Sequence, residues 1–117
     1  MVYWSGNSRY VAIDEEVYRY GGTVLLAEIN RGVVRPILLP EKLILARTHP
    51  RWDRNRIKVQ KGWVSAHDLS LAVAGTVITG ESPDGRRTYS HRTFEVLLHV
   101  QGGRATLTRC RDITNEI

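Results

Sequence analysis

The chain has 117 residues, 42% hydrophobic and 25% charged, with 17 Lys and Arg against 12 Asp and Glu for a net charge of +5. These proportions exclude a disordered chain and fit one globular domain spanning residues 1–117, long enough to bury about 65% of its unfolded surface without staples. Cys110 is the one cysteine, which excludes an intramolecular disulfide and any site that needs two thiolates.

Small secreted domains usually pair their cysteines, and residues 1–6 lack the basic stretch and apolar run of a signal peptide. The best apolar candidate, 37–46, is cut by Pro40-Glu41-Lys42 and falls far short of a bilayer span. The expected location is the cytoplasm, with no membrane partner.

In chain order, the first strand candidates are 2–4 and 10–13. Asp14-Glu15-Glu16 can open a helical turn that Gly21-Gly22 would stop. Two apolar runs, 24–29 and 33–39, flank Asn30-Arg31-Gly32, which predicts a hairpin with a three-residue loop closed by a type I turn and a left-handed Gly. Pro36 cannot donate a ladder hydrogen bond, so its strand belongs at a sheet edge or carries a bulge.

Residues 40–48 read two ways. Pro40 and Glu41 favour a helix start, whereas Lys42-Leu43-Ile44-Leu45 suits a buried strand, and the reading leans to strand. Ser65-Ala66-His67-Asp68 has the form of a capping box. Beyond it, Leu69, Leu71 and Val73 alternate with Ser70, Ala72 and Ala74, which favours a strand running on into 76–79.

Ser82-Pro83-Asp84-Gly85 predicts a turn joining 76–81 to 86–92. Phe94, Val96, Leu98 and Val100 then share one face, and Gly102-Gly103 predicts a two-residue hairpin. Pairing Gln101 with Arg104 sets Leu98 opposite Leu107 and Val100 opposite Ala105. Continued without interruption, that register sets Arg109 opposite Val96, Arg111 opposite Phe94 and Cys110 opposite Glu95. The expected fold is mainly β: a small antiparallel barrel or two-layer sheet of about six or seven strands with at most one short helix. The alternative is an α+β domain with an antiparallel sheet.

The most informative feature is where the charge sits. Residues 47–61 hold Arg47, Arg51, Arg54, Arg56, Lys58 and Lys61 against Asp53, a net +5 that equals the charge of the whole chain. The basicity therefore belongs to one segment. Its cations suit phosphate contacts, Trp52 offers a face on which an unpaired base can stack, and His49 and Asn55 add hydrogen-bonding groups. On a strand, Arg56, Lys58 and Gln60 would share one face while Ile57, Val59 and Lys61 share the other. Trp63, between Gly62 and Val64, reads as a core residue.

A second basic set comprises Arg86, Arg87, His91 and Arg92, with Arg104, Arg109 and Arg111 on the last strand. Of the 17 basic residues 14 are Arg, a bias that either codon usage or bidentate phosphate recognition accounts for. The four His residues have no metal-ligand spacing, and no Gly-rich phosphate loop appears, so no catalytic residue, metal or cofactor is assigned. A cleft holding His99, Glu95 and Cys110 is conceivable, but nothing in the sequence activates the thiol.

Gly62-Trp63-Val64-Ser65-Ala66, followed by Asp68-Leu69, resembles the closing strand of bacterial SH3 domains that bind cell walls. The final meander ending in Arg111-Asp112 resembles the strand half of nuclear-transport-factor-like folds. The first resemblance covers fewer than ten residues and the second lacks its helices, so neither assigns a family. The sequence supports a binding module more than an enzyme: low-specificity nucleic-acid binding through 47–61. The alternative is a protein-interaction or assembly factor of the mobile-element or viral type, meeting an acidic protein surface or forming a homo-oligomer through edge strands. A small ligand-binding barrel or enzyme stands third.

Overall fold

The computed structural model describes residues 1–16 and 22–116. Period-two alternation of apolar residues organises them into eight strands: β1 (Val2–Trp4), β2 (Tyr10–Glu16), β3 (Gly22–Asn30), β4 (Val33–Ile37), β5 (Trp52–Trp63), β6 (Asp68–Glu81), β7 (Arg87–Gln101) and β8 (Arg104–Asp112). One helix, α1 (Glu41–Thr48), links the two halves, and a single 3-10 turn, Thr114–Glu116, follows β8. Each half is a four-stranded antiparallel sheet in sequence order, and neither closes into a barrel. The two-layer expectation holds and the barrel does not.

The inward rows of both sheets form one core. Tyr10, Ala12, Val24, Leu26 and Ile37 come from the first sheet, and Ile57, Val59, Leu69, Leu71, Val73, Val96, Leu98 and Val100 from the second. Eight of these sites lie on β5, β6 and β7, and burying a Leu or Ile there contributes about 1.5–3 kcal/mol each. β6 and β7, of 14 and 15 residues, outrun the core. At about 3.3 Å per residue this ribbon is about 46–50 Å long, the main contribution to a long dimension of 59 Å. Its far end, residues 81–89, is exposed on both strands.

Two turns and one edge strand behave as their residues dictate. Ser82-Pro83-Asp84-Gly85 closes the ribbon, Gly102 and Gly103 close β7–β8 with φ of 60° and 76°, and Pro36 lies on β4, an edge strand. The β3–β4 turn differs from expectation. Asn30 pairs with Val33, leaving a two-residue turn in which Arg31 and Gly32 both have positive φ, 52° and 76°. That is the mirror-image turn whose twist matches the strands. Asp14-Glu15-Glu16 continues β2 rather than opening a helix. The expected stop at Gly21-Gly22 falls partly outside the described residues.

Residues 41–48 form the helix that the strand reading missed. The Ile44 N–H donates to the Pro40 carbonyl, and Ile44 and Thr48, four apart, are the residues α1 buries. Burial at one helical spacing is compatible with the exposed Leu43, which a strand between two layers would not tolerate. Conversely, Ser65 caps a turn and not a helix: its hydroxyl donates to Asp68 Oδ2 at 2.6 Å and accepts the backbone N–H of His67 and Asp68. Among the described residues no helix is long and apolar enough to cross a membrane.

Candidate nucleic-acid interface

On an antiparallel ladder, directly paired residues share a face. β5 pairs Arg54 with Thr76, Arg56 with Ala74 and Lys58 with Ala72, and these continue across β7 to His91, Thr93 and Glu95. The flanking rows, Ile57–Val73–Phe94 and Val59–Leu71–Val96, are buried at every position, whereas the rows of Arg54, Arg56 and Lys58 bury only Ala72 and Thr93. Arg54, Arg56 and Lys58 therefore turn away from the core.

Two irregularities add to this face. Between Val59–Leu71 and Gly62–Ser70 the ladder shifts, leaving Gln60 and Lys61 bulged. Lys61 then reaches over the outward face to Glu95, with Nζ 3.0 Å from Oε2, instead of sharing the inward face of Ile57 and Val59 as the uninterrupted pattern predicts. On β8 the register shifts at Thr108, so that Leu97 pairs with Arg109, Val96 with Cys110 and Glu95 with Arg111. One extra residue moves every following side chain to the other face. Arg109 and Arg111 point outward and Cys110 inward, reversing the expected arrangement.

The result is a trough. One wall is Arg54, Arg56, Lys58 and Lys61 of β5, and the other is Arg109 and Arg111 of β8. Three strand spacings, about 14 Å, separate them. The floor between is mostly small, with Ser70, Ala72, Ala74 and Thr93, and Leu97 beside Ser70. At Gly75 a side chain has no room, since a Cβ there would lie 1.9 Å from the Arg54 carbonyl oxygen.

Glu95 stands in the middle of the floor. Lys61 and Arg111 flank it, Arg111 at 3.6 Å, and Arg111 also pairs with Glu116 at 2.8 Å. The hydrogen bond from Lys61, and then the charges of Lys61 and Arg111, hold the Glu95 carboxyl below its ordinary range despite burial. Lys58 and Arg109 have no carboxylate partner among the described residues. Beside Arg109 lies a hollow of about 180 Å³ lined by Lys61, Val64, Ser70, Glu95 and Leu97. Ser70 Oγ, on a residue 1% exposed, has no hydrogen-bond partner there.

The other residues singled out in 47–61 lie off this face. Arg47 is in the last turn of α1, its carbonyl facing Cys110 Sγ at 3.7 Å. Arg51 sits at the root of the ribbon and pairs with Glu81 at 3.7 Å. Trp52 is inward: its indole N–H donates to Thr48 Oγ1 at 2.9 Å, and its ring meets Phe94 edge-on at 5.8 Å and His49 at 6.2 Å. Trp63 stacks on Tyr10 at 5.9 Å and donates to the Tyr3 carbonyl, in keeping with its reading as a core residue. The aromatic on the outward side is Tyr89, exposed on the ribbon opposite Ile78.

The conceivable cleft of His99, Glu95 and Cys110 does not form. Glu95 and Cys110 occupy opposite faces of the sheet, and burial pushes the Cys110 thiol up, away from the reactive thiolate. His99 instead bridges Asp68 and Gln101, at 2.9 and 3.0 Å. Among the described residues no three His, Cys, Asp or Glu side chains gather as a metal would require. Comparison of the chain with known protein families, with curated proteins and with solved structures finds no match.

Proposed function

We infer that the protein binds nucleic acid through the outward face of the β5–β8 sheet, holding the phosphate backbone without reading sequence. The observation that carries this reading is the gathering of Arg54, Arg56, Lys58, Lys61, Arg109 and Arg111 on one sheet face with Glu95 as the carboxylate among them. Cations in two rows over a floor of mostly small residues suit a chain of phosphates, since each contact releases counterions whatever the base. Lys58 and Arg109 are the first candidates for phosphate contact because no carboxylate competes for them. Trp52, with its N–H and ring both engaged, is replaced by Tyr89 as the side chain on which a base can stack.

The test is binding of fluorescent single-stranded DNA, duplex DNA and RNA across a salt series, beside the double variant Lys58→Glu/Arg109→Glu. Three to five phosphate contacts predict a slope of log affinity on log salt of about −2 to −4, and the charge reversal should weaken binding about 100-fold or more at low salt. A native protein that binds none of the three at low salt, or a reversed variant that binds as well as native, sinks the reading. An acidic protein surface would then be the partner to seek.

A further inference from the structure

The outward face of the first sheet has the opposite chemistry. Trp4 pairs with Val11, Val11 with Ala27 and Ala27 with Pro36, so these four form one row across β1, β2, β3 and β4. Val2, Ile13 and Leu25 form the next row, and Ile29 with Val34 a third. None of the residues in these three rows is charged. Val11 in the central row is buried, but much of the apolar surface around it is open: Trp4 is 53% exposed, Val2 51%, Leu25 47%, Val34 60% and Leu38, just beyond β4, 88%. Over the β3–β4 side lies a hollow of about 630 Å³, lined by Val11, Ile13, Leu25, Ala27, Pro36 and Leu38 among others.

We propose that a second copy of this chain docks on this face, related by a two-fold axis running parallel to the strands between β2 and β3. That axis carries β1 of one copy over β4 of the other and maps the row Trp4–Val11–Ala27–Pro36 onto itself. Trp4 of each copy then stands over Pro36 of the other, beside the hollow. The face is self-complementary: its bulkiest side chain is at one edge, and its small residues and hollow are at the other, which an isologous contact requires. Two sheets packed this way interdigitate at about 10 Å.

The area is sufficient. Four strands at about 4.8 Å and six residues at about 3.4 Å project roughly 400 Å², and side-chain relief brings the pair to about 1,000 Å² in total, the lower limit of a specific interface. An uncovered apolar patch of several hundred Å² is unusual on a monomer. The cationic trough lies on the far side of the shared core from this contact, so the two copies' basic faces stay apart.

Sedimentation and light scattering of the native chain from about 1 to about 100 µM decide the matter. The mass should double with concentration, and the dimer should survive about 1 M NaCl, where ion pairs are screened and apolar contacts are not. Trp4→Lys, and Ala27→Arg beside the axis, should stay monomeric at the top concentration with native circular dichroism. Val64→Lys, an exposed apolar site elsewhere, should dimerise like the native chain. A native protein that stays monomeric throughout, a dimer that dissociates in high salt, or one that persists in both face variants overturns the proposal. The native arms suffice even if a variant fails to fold, and none of them involves nucleic acid.

Discussion

β2 and β7 are both interior strands of four-stranded antiparallel sheets, and their inward residues are interchangeable in kind: Tyr10 and Ala12 on one, Val96 and Leu98 on the other. Their outward residues are not. β2 turns out Val11 and Ile13, whereas β7 turns out His91, Thr93 and Glu95 between two rows of cations. Inward positions are set by the demand to bury apolar area and say little beyond fold. Outward positions answer to what lies outside, and here the two sheets present different surfaces: apolar on one side, cationic on the other.

The difference can be broken most severely at Gly75. Alanine there drives a Cβ into the Arg54 carbonyl, and the β5 backbone must move. We expect a loss of about 3 kcal/mol or more, read as a fall in melting temperature of about 10 °C or more; an unchanged melting temperature would refute the close approach of β5 and β6. The charge reversal at Lys58 and Arg109 and the lysine at Trp4 come next, each meant to abolish one face's binding while sparing the other's.

Glu95→Gln sharpens the comparison more gently. It removes the carboxylate from the trough, so nucleic-acid affinity at low salt should rise about threefold, while the lost pairing with Lys61 and Arg111 costs about 1 kcal/mol. Because Glu95 is depressed in the fold, chiefly by the Lys61 hydrogen bond, its stabilisation is complete above the ordinary glutamate range. It is lost only as pH falls through the lower folded value. The variant should therefore flatten the acid limb of melting temperature against pH, and an acid limb equal to native would refute the pairing.

The smallest effect concerns His99, whose hydrogen bonds to Gln101 and then Asp68 raise its pKa. A raised imidazole stabilises the fold below the unfolded histidine value and loses that contribution as pH rises through the folded one. Its ring resonances should titrate above the ordinary histidine range, and Asp68→Asn should bring the midpoint down. A native midpoint at or below the ordinary value would remove the Asp68 contact from the account.

Local chemistry made much of the fold legible. Strict alternation in 93–100, Pro83 and Gly85 in one turn, Gly102-Gly103 in another and Pro36 on an edge strand all follow from backbone preferences that need no neighbours. The helix at 41–48 was not legible, because Leu43-Ile44-Leu45 satisfies either period over so short a run. Trp52 looked exposed between Arg51 and Asp53, yet Thr48 and Phe94, 4 and 42 residues away in sequence, take its N–H and its ring. The segment 47–61 was correctly singled out as basic, but its cations divide: four join the trough, while Arg47 and Arg51 stay outside it.

The sequence by itself determined strand character, most turns, the shared apolar core and the local excess of positive charge, since these depend on residues a few positions apart. Tertiary structure alone decided which cations meet. Arg109 and Arg111 join β5's basic row only because Thr108 shifts the β7–β8 register, and Lys61 reaches Glu95 only because Gln60 and Lys61 bulge from β5. A bulge costs little locally, so nothing nearby announces it, yet with a side-chain period of two it exchanges the buried and exposed faces of everything beyond.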